Sequence, residues 1–296
     1  MTIAHRFDYE RPDSLSGVVS ALARYGGKAR VLAGGTDLIG WVREDVLAPE
    51  ALIDLKALDE LNMLHCADGV LQIGALVTFN QLLESDAVRR DFPLVFEMAG
   101  RVASNGVRNR ATMAGNICSA VPCNDSGPVL LVYEATLQIA GPNGTRDLSA
   151  LEWFLGPRKT ALQSDEVLTG ITLKKPAGRH GGCWLKLGRY KGEDLAQAST
   201  AILMLENGET RIAFGSVAPV PLRAPAMEAL LKGRTADAAL IAQAQSMLPE
   251  LIAPITDVRA SREYRLHMVG VMLERGLPAA AERLNGNGPD YGTTLI

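Results

Sequence analysis

Two glycine-bearing segments govern the interpretation of this chain: Val31-Leu32-Ala33-Gly34-Gly35-Thr36-Asp37-Leu38 and Ala111-Thr112-Met113-Ala114-Gly115-Asn116. Glycine lacks a Cβ, so such segments turn tightly and their N–H groups approach an anion closely, with nearby threonine hydroxyls as further donors. Neither segment has the Gly-x-Gly-x-x-Gly pattern of common dinucleotide sites or the Lys-Ser/Thr ending of a P-loop. Taken singly, each is more typical of a plain turn. If the two loops face each other, they would hold a diphosphate.

Composition and charge indicate a multidomain globular protein. The chain has 296 residues, of which 47% are hydrophobic and 21% charged, enough for two or three cores. Its net charge is -3 and it has no run of Lys and Arg, which argues against nucleic acid or an anionic membrane as a partner. No apolar stretch reaches about 18 residues, and the start of the sequence lacks an apolar export core. We therefore expect a cytoplasmic protein.

The cysteines and histidines give no metal pattern. Cys66, Cys118, Cys123 and Cys183 are scattered and form no Cys-x-x-Cys pair, which argues against a disulfide framework and a structural zinc site. Cys118 and Cys123 follow the second glycine segment and would be iron–sulfur ligands only if two further cysteines converged there. The four histidines are isolated, so a histidine metal site is not expected.

The first unit, residues 1–56, has a small α/β pattern. Ser14 is a candidate helix cap, and the pair Gly26-Gly27 is the corresponding stop. The predicted strands cover 5–9, 30–33 and 51–55, and a second short helix covers 37–44.

The second unit, residues 57–177, mixes strands and helices. Thr78 is a candidate cap for a helix, and Pro128 stands at a helix start. The predicted strands cover 70–75, 136–140 and 167–174, with a helix through 94–102 and a turn at 141–144.

The third unit, residues 178–285, is predicted to be an antiparallel sheet followed by helices. Its strands are expected at 182–189, 201–205 and 210–214, with Asn207-Gly208 as a hairpin turn. Helices are expected over 236–248 and 262–275, the second stopped by Gly276 and Pro278. The tail, residues 286–296, is rich in Gly, Asn and Thr, so we expect it to be disordered or to lie on a partner.

Several ordered segments together carry a family resemblance. They are 33–37, 107–116, 122–128, 165–168, 186–196 and 214–221. With them the chain resembles the FAD-binding medium subunits of the molybdenum hydroxylases, the family of xanthine dehydrogenase and carbon monoxide dehydrogenase. Ala114 stands where many relatives have a second glycine. No cysteine-bearing insert occurs between Leu137 and Leu148, so the extra [4Fe-4S] cluster of some relatives is not expected.

The resemblance implies an α+β fold, with a two-subdomain FAD-binding domain followed by an α+β C-terminal domain. It also implies that FAD lies extended between these parts. A diphosphate taken from water needs converging donors, which the two glycine loops would supply. The residues then expected at FAD are Leu32, Ala33, Gly34, Gly35, Thr36, Asp37, Val102, Ala111, Thr112, Gly115, Asn116, Cys118, Asp125, Leu168 and Lys186.

The resemblance also implies individual roles. Asp125 would accept hydrogen bonds from the adenosine ribose, and Leu168 would pack on the adenine. Lys186 matches a lysine near the isoalloxazine, where a cation stabilises negative charge on the reduced flavin and raises its reduction potential. Tyr190 is expected to shield the flavin ring, and Asp194 to tune it. The residues alone leave open that Lys186 and Tyr190 are ordinary surface side chains.

The function implied is that of an oxidoreductase subunit that transfers electrons. In the family, a large subunit with a molybdenum cofactor hydroxylates the substrate, and a small [2Fe-2S] subunit passes the electrons to FAD. From there they reach an acceptor such as NAD+, in a dimer of heterotrimers. Two alternatives stay open: a stand-alone FAD-dependent oxidase or dehydrogenase, and a non-catalytic nucleotide-binding scaffold.

Overall fold

The computed structural model describes residue 3, residues 5–190 and residues 194–296. Part of the loop expected to border the flavin, residues 191–193, therefore lies outside the described residues. The first unit contains β1 (Asp8–Glu10), α1 (Leu15–Tyr25), β2 (Ala29–Leu32), α2 (Leu38–Arg43) and β3 (Ala51–Asp54).

The first sheet is parallel, with strand order β1-β3-β2. The hydroxyl of Ser14 accepts the Gly17 N–H at 3.3 Å and so caps α1, while Gly26 ends it with a φ of 56°. The first glycine loop emerges from the carboxyl end of β2, the edge at which parallel sheets commonly bind ligands.

The second unit is built on an antiparallel sheet of order β4-β5-β10-β6-β7. Its helices cover one face of this sheet and carry the second glycine loop. A short hairpin, β8–β9, lies beside them. The elements are β4 (Leu64–Ala67), β5 (Val70–Gly74), α3 (Phe79–Glu84), α4 (Asp86–Asp91), α5 (Pro93–Ala99), α6 (Asn105–Arg108), α7 (Met113–Ser119), α8 (Ser126–Val132), β6 (Thr136–Gly141), β7 (Gly144–Ser149), β8 (Phe154–Gly156), β9 (Lys159–Thr160) and β10 (Val167–Lys174), with short 3-10 turns at Asp59–Asn62 and Ala150–Glu152.

The third unit is an antiparallel sheet of order β11-β12-β13-β14 with helices on one face. Every residue of β12 is buried, because alternate side chains enter two different cores. Ala201 and Leu203 pack with the second unit, whereas Ile202 and Met204 pack under the C-terminal helices. The elements are β11 (His180–Leu187), β12 (Ala198–Leu205), β13 (Thr210–Gly215), β14 (Leu222–Arg223), α9 (Pro225–Leu231), α10 (Ala238–Ser246), α11 (Leu248–Leu251) and α12 (Arg262–Leu284).

The predicted end of the last helix is wrong. Helix α12 continues through Gly276 and Pro278 to Leu284. A Cβ on Gly276 would lie 2.8 Å from the Ile202 side chain and 3.0 Å from the Cys183 sulfur, so this glycine allows close helix–sheet packing. Burial of the stripe that includes Leu273 and Leu277 outweighs the local cost of proline.

The C-terminal tail packs against its own chain, whereas the sequence predicted that it is disordered or lies on a partner, and contact with a partner stays a prediction. Leu295 and Ile296 pack against the core of the third unit. The Arg101 guanidinium donates to the Thr294 hydroxyl at 3.2 Å, and the Tyr291 hydroxyl accepts the Gly182 N–H at 3.3 Å. Among the described residues, no helix is both long and apolar enough for a membrane crossing.

Candidate cofactor site

The two glycine loops are in direct backbone contact. A Cβ on Gly34 would lie 1.9 Å from the carbonyl oxygen of Arg110 and 3.1 Å from the Cα of Ala111. Only glycine permits so close an approach of two backbones. Gly35 has a φ of 79°, the left-handed region that glycine enters without strain. Gly34 is therefore required by the close approach of the two loops, and Gly35 by its left-handed φ.

The first loop presents free hydrogen-bond donors. No described residue accepts a hydrogen bond from the backbone N–H groups of residues 34–37. From behind, the Lys56 ammonium donates to the Ala33 carbonyl at 3.3 Å and pairs with the buried Asp54 at 2.7 Å. The loop is thus supported on one side and has unused amides for an anion on the other.

More backbone N–H groups of the second loop donate hydrogen bonds within the chain than the sequence suggested. The Thr112 hydroxyl accepts the Gly115 N–H at 2.9 Å, and the Thr112 carbonyl accepts the Asn116 N–H at 3.0 Å. These bonds cap α7 and engage both N–H groups, and the expectation that Gly115 and Asn116 contribute donors to a diphosphate stays a prediction. The Ala111 carbonyl accepts the Phe79 N–H at 3.1 Å and fixes the loop against the next helix.

One cleft of about 660 Å³ joins the loops to the C-terminal unit. This volume lies within the range of ordinary small-molecule sites, roughly 300–1,000 Å³. The residues predicted from the sequence that line it are Ala33, Gly34, Gly35, Thr36, Asp37, Val102, Ala111, Thr112, Gly115, Asn116, Cys118, Asp125, Leu168, Lys186 and Asp194.

Two predicted site residues lie outside the lining of this cleft. Leu32 belongs to β2, and its side chain is buried against Gly35. Tyr190 is 60% exposed and is not part of the lining. Asp194 is buried and accepts the Arg189 N–H, so its carboxylate holds the chain just after β11.

Asp125 and Lys186 form a buried ion pair, which sequence reasoning missed. The Lys186 ammonium donates to Asp125 Oδ2 at 2.8 Å and to the Arg101 carbonyl at 3.2 Å. Burial raises the pKa of the Asp125 carboxyl, and the adjacent Lys186 opposes that shift. The ion pair places both side chains at one shared locus of the cleft, and the roles expected for them, Asp125 at a ribose and Lys186 near a flavin ring, stay predictions.

One carboxylate oxygen of this ion pair lacks a hydrogen-bond donor. Asp125 Oδ1 is buried and has no hydrogen-bond donor among the described residues. The neighbouring Asn116 side chain accepts the Ser126 N–H at 3.1 Å, which fixes the start of α8 and with it Asp125. Buried carboxylate oxygens are normally hydrogen-bonded, so this atom fits a ligand N–H or O–H.

The two thiols near the cleft, Cys118 and Cys123, have raised pKa values. Cys118 faces the cleft, where the surrounding protein raises the pKa of its thiol to about 12. Burial also raises the pKa of Cys123. The described residues contain no group of three or more His, Cys, Asp or Glu that could hold a metal ion.

The sequence contained no indication of Trp41 or Arg158 at the cleft, and for Arg108 it left open pairing with an acidic group, contact with another subunit or phosphate binding. The Arg108 guanidinium donates to the carbonyls of Val102 at 2.9 Å and Ala103 at 2.8 Å, which secures that wall. Trp41 and Arg158 line the cleft together, with the guanidinium 4.9 Å from the ring centroid. The available sequence signal was weak, because a lone arginine in a turn is usually solvated.

Comparison with known proteins identifies the class. Residues 5–176 match the family described as the FAD binding domain in molybdopterin dehydrogenase, and residues 185–280 match the CO dehydrogenase flavoprotein C-terminal domain. The carbon monoxide dehydrogenase medium chain of Hydrogenophaga pseudoflava is 34% identical over 285 residues, covering 95% of this chain and 99% of that relative. The xanthine dehydrogenase FAD-binding subunit of Escherichia coli O157:H7 is 30% identical over 284 residues, covering 94% and 97% respectively.

Solved structures agree with this class. The carbon monoxide dehydrogenase from Hydrogenophaga pseudoflava that lacks the Mo-pyranopterin moiety of the molybdenum cofactor superposes with a TM-score of 0.91 at 34% identity, covering 96% of this chain and 99% of that one. Quinoline 2-oxidoreductase from Pseudomonas putida 86 gives a TM-score of 0.89 at 28% identity, with 96% and 99% coverage. The chain belongs to the FAD-binding medium subunits of the molybdenum hydroxylases, which are oxidoreductase subunits. The predicted family, α+β fold and FAD cofactor are confirmed.

Proposed function

We propose that this chain binds FAD in the described cleft and relays electrons within a molybdenum hydroxylase complex. One observation carries the proposal: the two glycine loops touch at Gly34 and leave the amides of residues 34–37 unpaired at the cleft. Unpaired amides that converge on one place are suited to a diphosphate. FAD supplies an electron acceptor that takes electrons singly and releases them as a hydride.

Different residues of the cleft are proposed to bind different parts of FAD. In this proposal the first loop holds the diphosphate, and the methyl groups of Leu168 pack on the adenine. The Asp125–Lys186 pair lies toward the flavin ring, beside Asp194 from the C-terminal unit. There Lys186 supplies positive charge, Asp125 partly compensates it, and the unpaired Oδ1 accepts a hydrogen bond from the cofactor. Tyr190 is proposed to shield the flavin from its exposed position.

The wider assembly is also part of the proposal. The relatives are named medium chains and FAD-binding subunits, which supports further chains in the complex. We assign iron–sulfur clusters of the [2Fe-2S] type to a small partner and substrate hydroxylation to a large partner with a molybdenum cofactor. The proposed assembly is a dimer of heterotrimers in the cytoplasm. NAD+ is the proposed acceptor.

Purification of the chain with and without its partners tests this function. We expect a yellow protein with one FAD per chain, released by heat and identified as FAD by chromatography. Co-purification with polypeptides that contain iron–sulfur clusters and molybdenum would support the electron relay. A colourless chain that binds no added FAD would contradict the cofactor site. A yellow chain that oxidises substrates by itself would support the stand-alone oxidase.

A further inference from the structure

The cations that line the cleft differ in the groups they contact. Three described cationic residues line it: Arg30, Arg158 and Lys186. Lys186 is neutralised by Asp125, and the Arg30 guanidinium donates to the carbonyls of Gly27 and Ala29, both at 2.7 Å. No described carboxylate pairs with the Arg158 guanidinium, which lies over the Trp41 ring.

The position of Arg158 is held by its surroundings. Its backbone N–H donates to the Ala120 carbonyl at 2.8 Å, which joins the tip of the β8–β9 hairpin to the end of α7. The guanidinium lies 4.9 Å from the centroid of Trp41, a residue of α2. Helix α2 follows directly from the first glycine loop. The arginine is thus fixed to both loop-bearing helices.

The backbone at Arg158 is unfavourable for arginine. Gly156 and Lys159 are paired across the hairpin, so Pro157 and Arg158 form its two-residue turn. Arg158 has a φ of 57°, at a position where such turns normally have glycine or asparagine. A side chain with a Cβ is strained in this region, and strain of this kind is concentrated at functional sites.

We propose that Arg158, steadied on Trp41, is the cation that binds the phosphates of the cofactor. The proposal rests on the proposed FAD function and assigns a charge that the neutral loop amides do not supply. A guanidinium can donate two parallel N–H bonds to a phosphate, and its planar face stacks on an aromatic ring at the same time. The strained turn holds this guanidinium at the cleft, at a position where a glycine would supply no charge.

Binding of FAD to the flavin-stripped full chain tests this role without any activity assay. The dissociation constant is measured by titration at low and high NaCl for the wild type, Arg158→Gln and Arg158→Lys. We expect Arg158→Gln to bind FAD about tenfold more weakly at low salt, the loss of one exposed charge-assisted contact. The dissociation constant of Arg158→Gln should also depend less on the NaCl concentration, whereas Arg158→Lys should keep the salt dependence of the wild type.

Arg158→Gly separates binding from stability. It should raise the melting temperature of the flavin-free chain by about 2–4 °C, because strain is relieved, while it weakens FAD binding like Arg158→Gln. Asp68→Gly is the matched control, since Asp68 is also an exposed hairpin residue with a φ of 51°. It should gain stability and keep the wild-type affinity for FAD.

Two negative outcomes have different meanings. If the wild-type chain binds no FAD, the proposed function fails. If the wild type binds FAD but Arg158→Gln and Arg158→Gly bind it within twofold and with the same salt slope, the role of Arg158 is overturned and the proposed function stands.

Discussion

The ion pairs Glu97–Arg283 and Asp125–Lys186 are both deeply buried, but only the first is complete. Each Glu97 oxygen accepts an arginine N–H and a backbone N–H, from Trp184 at 2.7 Å and from Gly292 at 3.1 Å. The remaining N–H groups of Arg283 donate to backbone carbonyls of Gly182, Pro289 and Asp290. In the second pair, Asp125 Oδ1 has no donor among the described residues.

The difference separates a structural pair from a binding pair. Glu97–Arg283 joins α5, β11, the end of α12 and the tail, so its groups are occupied by the protein itself. Asp125–Lys186 faces the cleft and keeps one acceptor for a ligand. An unfilled buried acceptor costs stability, and binding of a donor recovers that cost.

The largest expected effect is on the structural pair. Arg283→Met leaves the Glu97 carboxylate buried without its cation, which should lower the free energy of unfolding by about 3–5 kcal/mol. Denaturant unfolding measures this. Arg234→Met, at an exposed arginine, is the control and should change stability by less than about 0.5 kcal/mol. The double variant Glu97→Leu/Arg283→Met should recover much of the loss. A single-variant loss below about 1 kcal/mol would contradict a structural role.

The second largest effect is expected from a substitution that disrupts the contact between the two glycine loops. In Gly34→Ala the new Cβ would lie 1.9 Å from the Arg110 carbonyl oxygen, so the loops must separate. Overpacking of this kind costs roughly 1–3 kcal/mol, and FAD binding should weaken by about tenfold to hundredfold.

Gly40→Ala is the matched control for that variant. Gly40 lies in α2, only six residues further on, and a Cβ there would meet nothing within 4 Å. It should bind FAD like the wild type and be slightly more stable, because alanine favours a helix. Equal FAD affinities for the two variants, measured by titration, would show that the contact at Gly34 does not shape the site.

Substitutions in the Asp125–Lys186 pair should shift the reduction potential of bound FAD in opposite directions. Lys186→Gln removes a positive charge and should lower the reduction potential of bound FAD, whereas Asp125→Asn removes the compensating negative charge and should raise it. A shift of about 30 mV corresponds to about 1.4 kcal/mol for a two-electron couple. Potentiometric titration measures both, with Arg234→Met as a control of unchanged potential. Shifts of the same sign would reject the shared locus.

A smaller effect is expected from the partly exposed pair Arg146–Glu166 at the cleft. The hydrogen bond from Arg146 lowers the pKa of Glu166 from its ordinary value of 4.5. The resulting stability is present above pH 4.5 and is lost as the pH falls through the lowered pKa. Melting temperatures below about pH 5 should therefore fall less steeply for Glu166→Gln than for the wild type. Parallel curves would exclude this contribution.

Local signals predicted much of the fold. Ser14 and Thr78 cap their helices as expected, since a hydroxyl next to the first turn satisfies a free N–H group whatever lies around it. Asn207-Gly208 forms the expected turn, with Gly208 at a φ of 83°. The prediction that Gly276 and Pro278 end the last helix failed, because the packing of α12 on the sheet depends on residues distant in sequence.

The amino-acid sequence was sufficient to predict the two glycine loops and the family of FAD-binding subunits, because glycine itself permits close backbone approach and a left-handed φ. Which side chains share the cleft became clear only from the folded chain. Asp125 meets Lys186, and Arg158 meets Trp41, across long stretches of chain. Such charges carry no local pattern, and their roles depend on the partners that folding brings within a few ångströms.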